Sequence, residues 1–251
     1  VDTVVVGDLM LDRYISGVVD RVSPEAPVPI VQVEDHQDAV GGAGNVAPNI
    51  STLGAKCSVI GCLGDDAEGQ ILYSALQRRG IDVSGIVTTP GRPTTVKTRV
   101  MAGHQQMVRF DCEDDSELDD AVATQLVKGL QSLATDTDVI VIEDYNKGVL
   151  SSYVIDAAMR ASSEHRIPSV VDPKRSNFFS FSGATVFKPN AKELGDALGA
   201  CIYPDDPLWM KRTREHLSCN CLLVTLGSEG MALDVEGGGY DRLFGTSRMV
   251  Y

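Results

Sequence analysis

Short apolar runs alternate with amphipathic stretches along most of the chain, and the two periods separate cleanly. Thr3 to Gly7 is a β-branched run ending in Gly-Asp, which predicts a buried strand meeting a loop. Asn45 to Leu53 has helical spacing closed by Gly54, and Cys57 to Cys62 predicts the next strand. Asp66 to Arg79 predicts a second helix, with an Asp to cap its first turn and Gly80 to end it. Leu118 to Leu133 and Ser151 to Ser163 are helical, with Asp138 to Ile142 a strand between them. Pro168 to Val171, Thr185 to Phe187 and Leu222 to Thr225 are further strands. Strands separated by helices make βαβ units. The pattern therefore predicts an α/β fold, a doubly wound and mostly parallel sheet with helices on both faces.

Two segments break that rhythm. Val28 to Val33 is strand-like in a setting of prolines (Pro24, Pro27, Pro29), too close to the first strand for a crossover helix. Thr94 to Met101 and Met107 to Asp111 alternate with period two across a Gly-His-Gln-Gln turn, the pattern of a hairpin. Antiparallel pieces inserted at two points predict a small β lid, from about residues 12–36 and 93–111, on a single domain spanning 1–251. Asp111 to Asp120 (DCEDDSELDD) reads as a solvated loop and helix start.

Of the 251 residues, 43% are apolar, 23% charged and 6% aromatic, which excludes a disordered or fibrous chain. Lys and Arg number 22 against 35 Asp and Glu, a formal net charge of −13. So acidic a surface argues against nucleic acid and membrane surfaces as partners. An anionic small substrate remains open only where basic residues gather in one pocket. The six cysteines (Cys57, Cys62, Cys112, Cys201, Cys219, Cys221) are too sparse for a disulfide scaffold and are expected as buried, reduced thiols. No apolar run is long enough to span a bilayer, and VDTVVVGDLMLDRY reads as a strand rather than a signal peptide, so a cytoplasmic location is expected. His36, His104, His165 and His216 share no spacing and are expected at the surface.

The Gly41-Gly42-Ala43-Gly44-Asn45 turn places flexible backbone before a helix, where free N–H groups and the positive dipole end favour a polar or anionic ligand. Pro48 is expected in that helix's first turn. Read as a dinucleotide fingerprint, Gly42-x-Gly44-x-x-Ala47 fails on context, because polar EDHQD is expected to separate it from the strand ending at Val33. A purely structural glycine turn remains the plain alternative. Lys97 and Arg99 share one strand face, and Arg109 lies on the returning strand. A sugar phosphate or nucleotide would explain such cations, and so would an edge strand using charge against aggregation.

Asp144-Tyr145-Asn146-Lys147-Gly148 and Asp172-Pro173-Lys174 each follow a buried strand, at the carboxyl ends where open α/β sheets bind ligands. In Lys188-Pro189-Asn190-Ala191-Lys192-Glu193, Asn190 and Glu193 stand one helical turn apart. That spacing suits either a magnesium-bound water or phosphate, or a simple capping box. Thr225-Leu226-Gly227-Ser228-Glu229-Gly230 is a glycine turn in which backbone could pass close to a flat base, or an ordinary turn ending a strand.

Taken together these motifs resemble the ribokinase-like (PfkB-type) carbohydrate kinases. VGGAGNVAPNISTLG is similar to the family's first signature, and KPNAKEL and TLGSEG to its nucleotide-side motifs. GDLMLDRY, DRVSPEAPVPIV, TTVKTRV, QQMVRFD, DYNKG and VVDPK resemble, in order and spacing, the branch of D-glycero-β-D-manno-heptose 7-phosphate kinases. The resemblance implies a doubly wound domain with a β lid, ATP and Mg2+ as cofactors, and γ-phosphoryl transfer to the anomeric hydroxyl of the heptose 7-phosphate. The product would be the 1,7-bisphosphate of ADP-heptose and lipopolysaccharide core biosynthesis.

By the same resemblance Asp12, Gly41, Gly42 and Asn45 lie at the sugar hydroxyls, and Lys97, Arg99 and Arg109 near the substrate phosphate. Asp144, Lys147 and Lys174 also belong to the substrate side. Asn190, Ala191, Lys192 and Glu193 lie near the triphosphate, with Glu193 reaching the metal through water, and Thr225, Gly227 and Gly230 lie near the adenosine. A homodimer paired through the lid is expected by analogy. The family's Gly-Ala-Gly-Asp motif, which carries the catalytic base, does not occur in these residues and is expected beyond Tyr251. Gly44 and Glu143 are smaller departures from the branch pattern. A kinase for another sugar or sugar phosphate, and a catalytically inactive sugar-phosphate-binding protein, stand as alternatives.

Overall fold

The computed structural model describes residues 1–245. It opens with strand β1 (Asp2–Gly7), the long strands β2 (Leu9–Val22) and β3 (Pro29–Gly42), and helix α1 (Ala43–Thr52). β4 (Lys56–Gly64), α2 (Ala67–Arg78), β5 (Asp82–Thr89), β6 (Thr95–Ala102) and β7 (Gln105–Cys112) follow. The second half runs α3 (Asp120–Ala134), β8 (Val139–Glu143), α4 (Ser152–His165), β9 (Ser169–Asp172), β10 (Val186–Phe187), α5 (Ala191–Leu198) and α6 (Pro207–Leu217). It ends with β11 (Cys221–Thr225), β12 (Gly230–Val235) and β13 (Gly239–Phe244). The end of the chain, after which the Gly-Ala-Gly-Asp motif is expected, lies outside the described residues.

A nine-stranded sheet has the order β13-β12-β11-β10-β9-β8-β1-β4-β5. Its pairs from β5 to β11 are parallel, and β12 and β13 add an antiparallel edge. The two-residue period of β1 serves both faces. Val4 and Val6 pack with Leu126 and Leu130 of α3 and Ile155 of α4, while Val5 packs with Ala47 of α1 and Leu72 and Leu76 of α2. On the first face Phe178 and Phe187 meet edge to face at 5.1 Å. This is the doubly wound α/β architecture expected from the chain. No helix among the described residues is long and apolar enough to cross a membrane.

The second sheet has four strands, in the order β3-β2-β6-β7. β2 pairs antiparallel with β3 and parallel with β6, and β6 turns back into β7. Leu9, Leu11, Val40 and Val96 root it in the core beside α1 and α2. Farther out its apolar side chains stay in solvent: Val22 is 64% exposed and Phe110 55%.

Several expectations change. β3 does not stop at Val33. Glu34 to Asp38 continue the strand, with Glu34 to Gln37 exposed on both faces, which removes the alternation that marks a half-buried strand. A strand therefore does lead into Gly41-Gly42. It is antiparallel to β2 in the small sheet, so the dinucleotide reading fails on topology instead. α1 begins at Ala43, which puts Asn45 inside the helix and Pro48 in its second turn, where the missing N–H removes a bond to the Gly44 carbonyl. β5, α6, β12 and β13 were not expected. α6 (PLWMKRTREHL) is mostly polar and buries only Met210, Thr213, Arg214 and Leu217. The cysteines are all free, but not all buried: Cys112 ends the edge strand β7 and Cys201 lies in a loop, both exposed. The four histidines are at the surface.

Candidate active site

The carboxyl ends of β1, β8, β9, β10 and β11 form one rim, and the first turn of α1 opens beside it. A Cβ at Gly41 would stand 2.4 Å from the Asp12 Oδ2, so only glycine lets that carboxylate lie against β3. Gly42, the residue preceding α1, has φ 58° and offers no side-chain cap. The Ala43 N–H is taken by the Asp8 carbonyl at 2.9 Å, and Asn45 is exposed in the same turn.

The cations are not free. Arg99 Nη1 donates to Asp12 Oδ1 at 2.6 Å while its guanidinium lies 5.3 Å from the Tyr14 ring centre. Arg109 grips Asp111 through Nε and Nη2 at 2.9 and 2.7 Å. Lys97 Nζ reaches Asp111 at 3.4 Å and Glu113 at 3.1 Å, and Lys147 Nζ reaches Glu113 at 2.8 Å. Each cation expected to face a substrate phosphate is balanced by a carboxylate of the same chain. Part of their reason for clustering is thus internal.

The loop after β8 is pinned from two sides. Asp8, buried just beyond β1, accepts the N–H groups of Tyr145, Lys147 and Val149 at 2.8, 3.1 and 3.1 Å. Burial pushes its carboxyl above the usual carboxylate range, against the pull of those donors. From the other side Arg92 Nη2 donates to the carbonyls of Lys147, Asp114 and Ser116 at 2.8, 2.7 and 2.9 Å. Gly148 closes the loop at φ 85°, where a Cβ would stand 2.0 Å from the Ser116 carbonyl oxygen. Asp144 is buried, accepts from Asn146 N and Asn177 Nδ2 at 2.8 and 3.1 Å, and is likewise raised by burial.

Farther along the rim, Lys188 Nζ donates to Asp172 at 2.6 Å, and Lys174 pairs with Glu193 while lying 5.4 Å from the Tyr145 ring centre. Burial, and then the charge of Asp172, push the Glu143 carboxyl up to about 7, with Lys188 and Lys174 opposing. Asn190 and Glu193 form a full capping box: Asn190 Oδ1 accepts from Glu193 N at 2.8 Å and Glu193 Oε2 from Asn190 N at 2.9 Å. Thr225 N donates to the Pro189 carbonyl at 3.0 Å, which holds the KPNAKE and TLGSEG segments together. Gly227 and Gly230 take φ 60° and 96° in the turn that follows. Lys192 stands apart, its side chain 85% exposed and paired with Asp196.

Among the described residues no group of three His, Cys, Asp or Glu side chains is arranged to hold a metal. A single carboxylate such as Glu193, assisted by water and substrate phosphates, is the way Mg2+ is ordinarily held, and the donors here fit that mode. Asp8, Arg92, Glu113, Glu143 and Lys188 are the residues of the rim that sequence reasoning did not select. Asp8 and Lys188 stand directly after strands, Glu143 ends one and Glu113 lies in an acidic run, which could have marked them; nothing local marks Arg92.

Residues 2–241 match the pfkB family of carbohydrate kinases. The chain belongs to this family. Among curated relatives of this pfkB-family chain, the Bifunctional protein HldE of Geobacter sulfurreducens is 41% identical over 240 residues, covering 95% of the chain and 49% of the relative. The HldE of Campylobacter fetus is 37% identical, covering 93% and 51%. The chain thus spans about half the length of these relatives. Phosphofructokinase-2 of Escherichia coli, in its tetrameric inhibited form, superposes with a TM-score of 0.75 at 19% identity over 97% of this chain and 79% of that one. Arabidopsis thaliana ribokinase complexed with ribose and ATP gives 0.71 at 17%, over 96% and 77%. These likenesses establish the ribokinase-like fold.

Proposed function

We propose that this pfkB-family chain is the kinase unit of an ATP-dependent, cytoplasmic enzyme. It would phosphorylate the anomeric hydroxyl of D-glycero-β-D-manno-heptose 7-phosphate to give the 1,7-bisphosphate. The observation that carries the reading is the meeting of small-sheet cations with the loop after β8: Lys97 of β6 and Lys147 converge on one carboxylate, Glu113. A sugar lying between the sheets with its phosphate toward these lysines leaves its opposite end toward Lys174, Asn190 and Glu193. The branch motifs quoted above supply the choice of heptose.

In this reading Asp12, Gly41, Gly42 and Asn45 orient the sugar hydroxyls, with Asp144 behind them. Lys97, Arg99, Arg109 and Lys147 balance the 7-phosphate. Lys174 stays on the substrate side at the far end of the sugar. Asn190, Ala191 and Glu193 serve the triphosphate, and Thr225, Gly227 and Gly230 the adenosine; Lys192, turned to solvent and paired with Asp196, takes no part. Such transfer asks the protein mainly for positioning and charge balance. Magnesium, when bound, neutralises charge on the transferring phosphates. The small sheet would act as a lid and, through exposed Val18, Val19, Val22, Val33, Val108 and Phe110, pair with a second copy.

The test is ADP release by the full-length gene product with heptose 7-phosphate, heptose, ribose and fructose 6-phosphate as acceptors, with sedimentation for the dimer. A clear kcat/KM preference for heptose 7-phosphate is expected. Preference for another acceptor would replace the substrate, and binding without turnover on any would identify an inactive binder.

A further inference from the structure

Between the edge of the small sheet and the loop after β8 runs an alternating chain of charges: Arg109, Asp111, Lys97, Glu113, Lys147. Its members differ in freedom. Lys97 is fixed in β6, with β2 and β7 on either side, and the Lys147 backbone is held by Asp8 and Arg92. Their side chains are 14% and 16% exposed. Glu113 belongs to the irregular segment between β7 and α3, with a side chain 29% exposed and three rotatable bonds. The carboxylate between the two ammonium groups is the member free to leave.

Charge balance says when it would leave. Three cations and two carboxylates carry one excess positive charge. A phosphate dianion added with Glu113 in place reverses that sign and sets two anions on the same ammonium groups. With Glu113 swung away, the same dianion brings the remaining group to neutrality.

We infer that Glu113 is a specificity-determining residue: its carboxylate occupies the place between Lys97 and Lys147 that the substrate phosphate takes, and the two exchange. This rests on the reading of the substrate as a sugar phosphate. A neutral sugar brings nothing to displace Glu113 and finds the lysines occupied; a phosphorylated one releases it. The charge that Glu113, on an irregular segment outside both sheets, supplies in the free protein thus screens for charge on the incoming ligand.

The experiment uses the full-length gene product and its Glu113→Gln and Glu113→Ala variants, at low ionic strength so that screening does not hide the effect. Calorimetry with inorganic phosphate reads the exchange directly, and KM values for heptose 7-phosphate, heptose and ATP read its consequence. Either variant should bind phosphate about threefold to tenfold more tightly and lower the KM for the 7-phosphate by a similar factor. The KM values for ATP and for unphosphorylated heptose should not move. Lys147→Met should remove most of the gain when combined with Glu113→Gln.

Unchanged or weaker phosphate binding in both variants would overturn the exchange, and a raised KM for the 7-phosphate would make Glu113 a support for the lysines instead. Should the wild type show no preference for the 7-phosphate, the substrate reading falls by itself. The inorganic phosphate titration still decides the exchange.

Discussion

The two sheets are built from similar β-branched strands and differ in what covers them. The large sheet is packed on both faces, and its candidate site groups hang from strand ends held by backbone: Asp8 takes three N–H groups, and Asn190 and Glu193 close a capping box. The small sheet is rooted at one end only, and its candidate site groups are held by one another, carboxylate against cation. Backbone hydrogen bonds fix a geometry before any ligand arrives. Ion pairs between partly exposed side chains are worth little each and trade partners easily. One side of the site is therefore rigid and the other exchangeable.

The contrast breaks most visibly in the core. Phe187, 1% exposed beneath the rim, should cost about 3–5 kcal/mol of stability when changed to Ala, measured by chemical denaturation. A loss near 1 kcal/mol would mean the large sheet is no better packed there than the small one.

Next comes Glu143. Its carboxyl titrates near 7 in the folded chain against an ordinary 4.5. The folded state therefore holds the proton more tightly between those values, and stability falls as pH rises through that window. Glu143→Gln removes that penalty. The variant should be more stable than the wild type by up to about 3 kcal/mol at pH 8 and equal to it below 4.5. Parallel stability curves from pH 4 to 8 would show that Lys174 and Lys188 already compensate the charge.

Glu193→Gln removes the nearer of two counter-ions of Lys174, leaving Asp172 at 4.0 Å, and weakens the cap, at about 1 kcal/mol of stability. In the full-length protein it should also lower kcat and the response to magnesium, while sugar binding measured without ATP stays the same. A magnesium titration that overlays the wild type would leave Glu193 a cap alone. Arg109, 42% exposed and paired with Asp111, tests the exchangeable side. Arg109→Ala should raise the KM for the phosphorylated sugar about threefold to tenfold with little change for ATP. Equal changes for both substrates would remove it from the sugar side. The smallest effect belongs to Val22→Ala, on a side chain 64% exposed, at under about 0.5 kcal/mol. A larger loss would show that a partner covers that face.

Most of the large sheet was legible in the chain, because buried parallel strands leave unbroken apolar runs and their helices carry caps. The Asp66 cap is one case: its Oδ1 accepts from Gly69 N at 2.7 Å, as the helix signal implied. The hairpin at β6 and β7 was legible from its two-residue alternation and its turn, where Gly103 takes φ 57°. The middle of β3 was not, since Glu34 to Gln37 lie in water on both faces and have no side to mark. The site divides the same way. Motifs pointed to Asp12, Asn190 and Glu193. They could not show that Lys97 and Lys147, far apart in the chain, share Glu113, nor that Lys192 points away.

What the sequence determined by itself is what short-range physics encodes: the α/β class, the order of the main buried elements, and glycines where a Cβ would meet backbone, as at Gly148 against the Ser116 carbonyl. Its motifs and family likeness also placed the candidate residues on two sides of one site. Only the tertiary structure decided the electrostatic state of that site. Whether a lysine is free or paired, and whether Glu143 titrates near 4.5 or near 7, depends on which distant carboxylates and how little water surround it. Those neighbours come from strands joined across the sheets, and no local pattern of residues contains them.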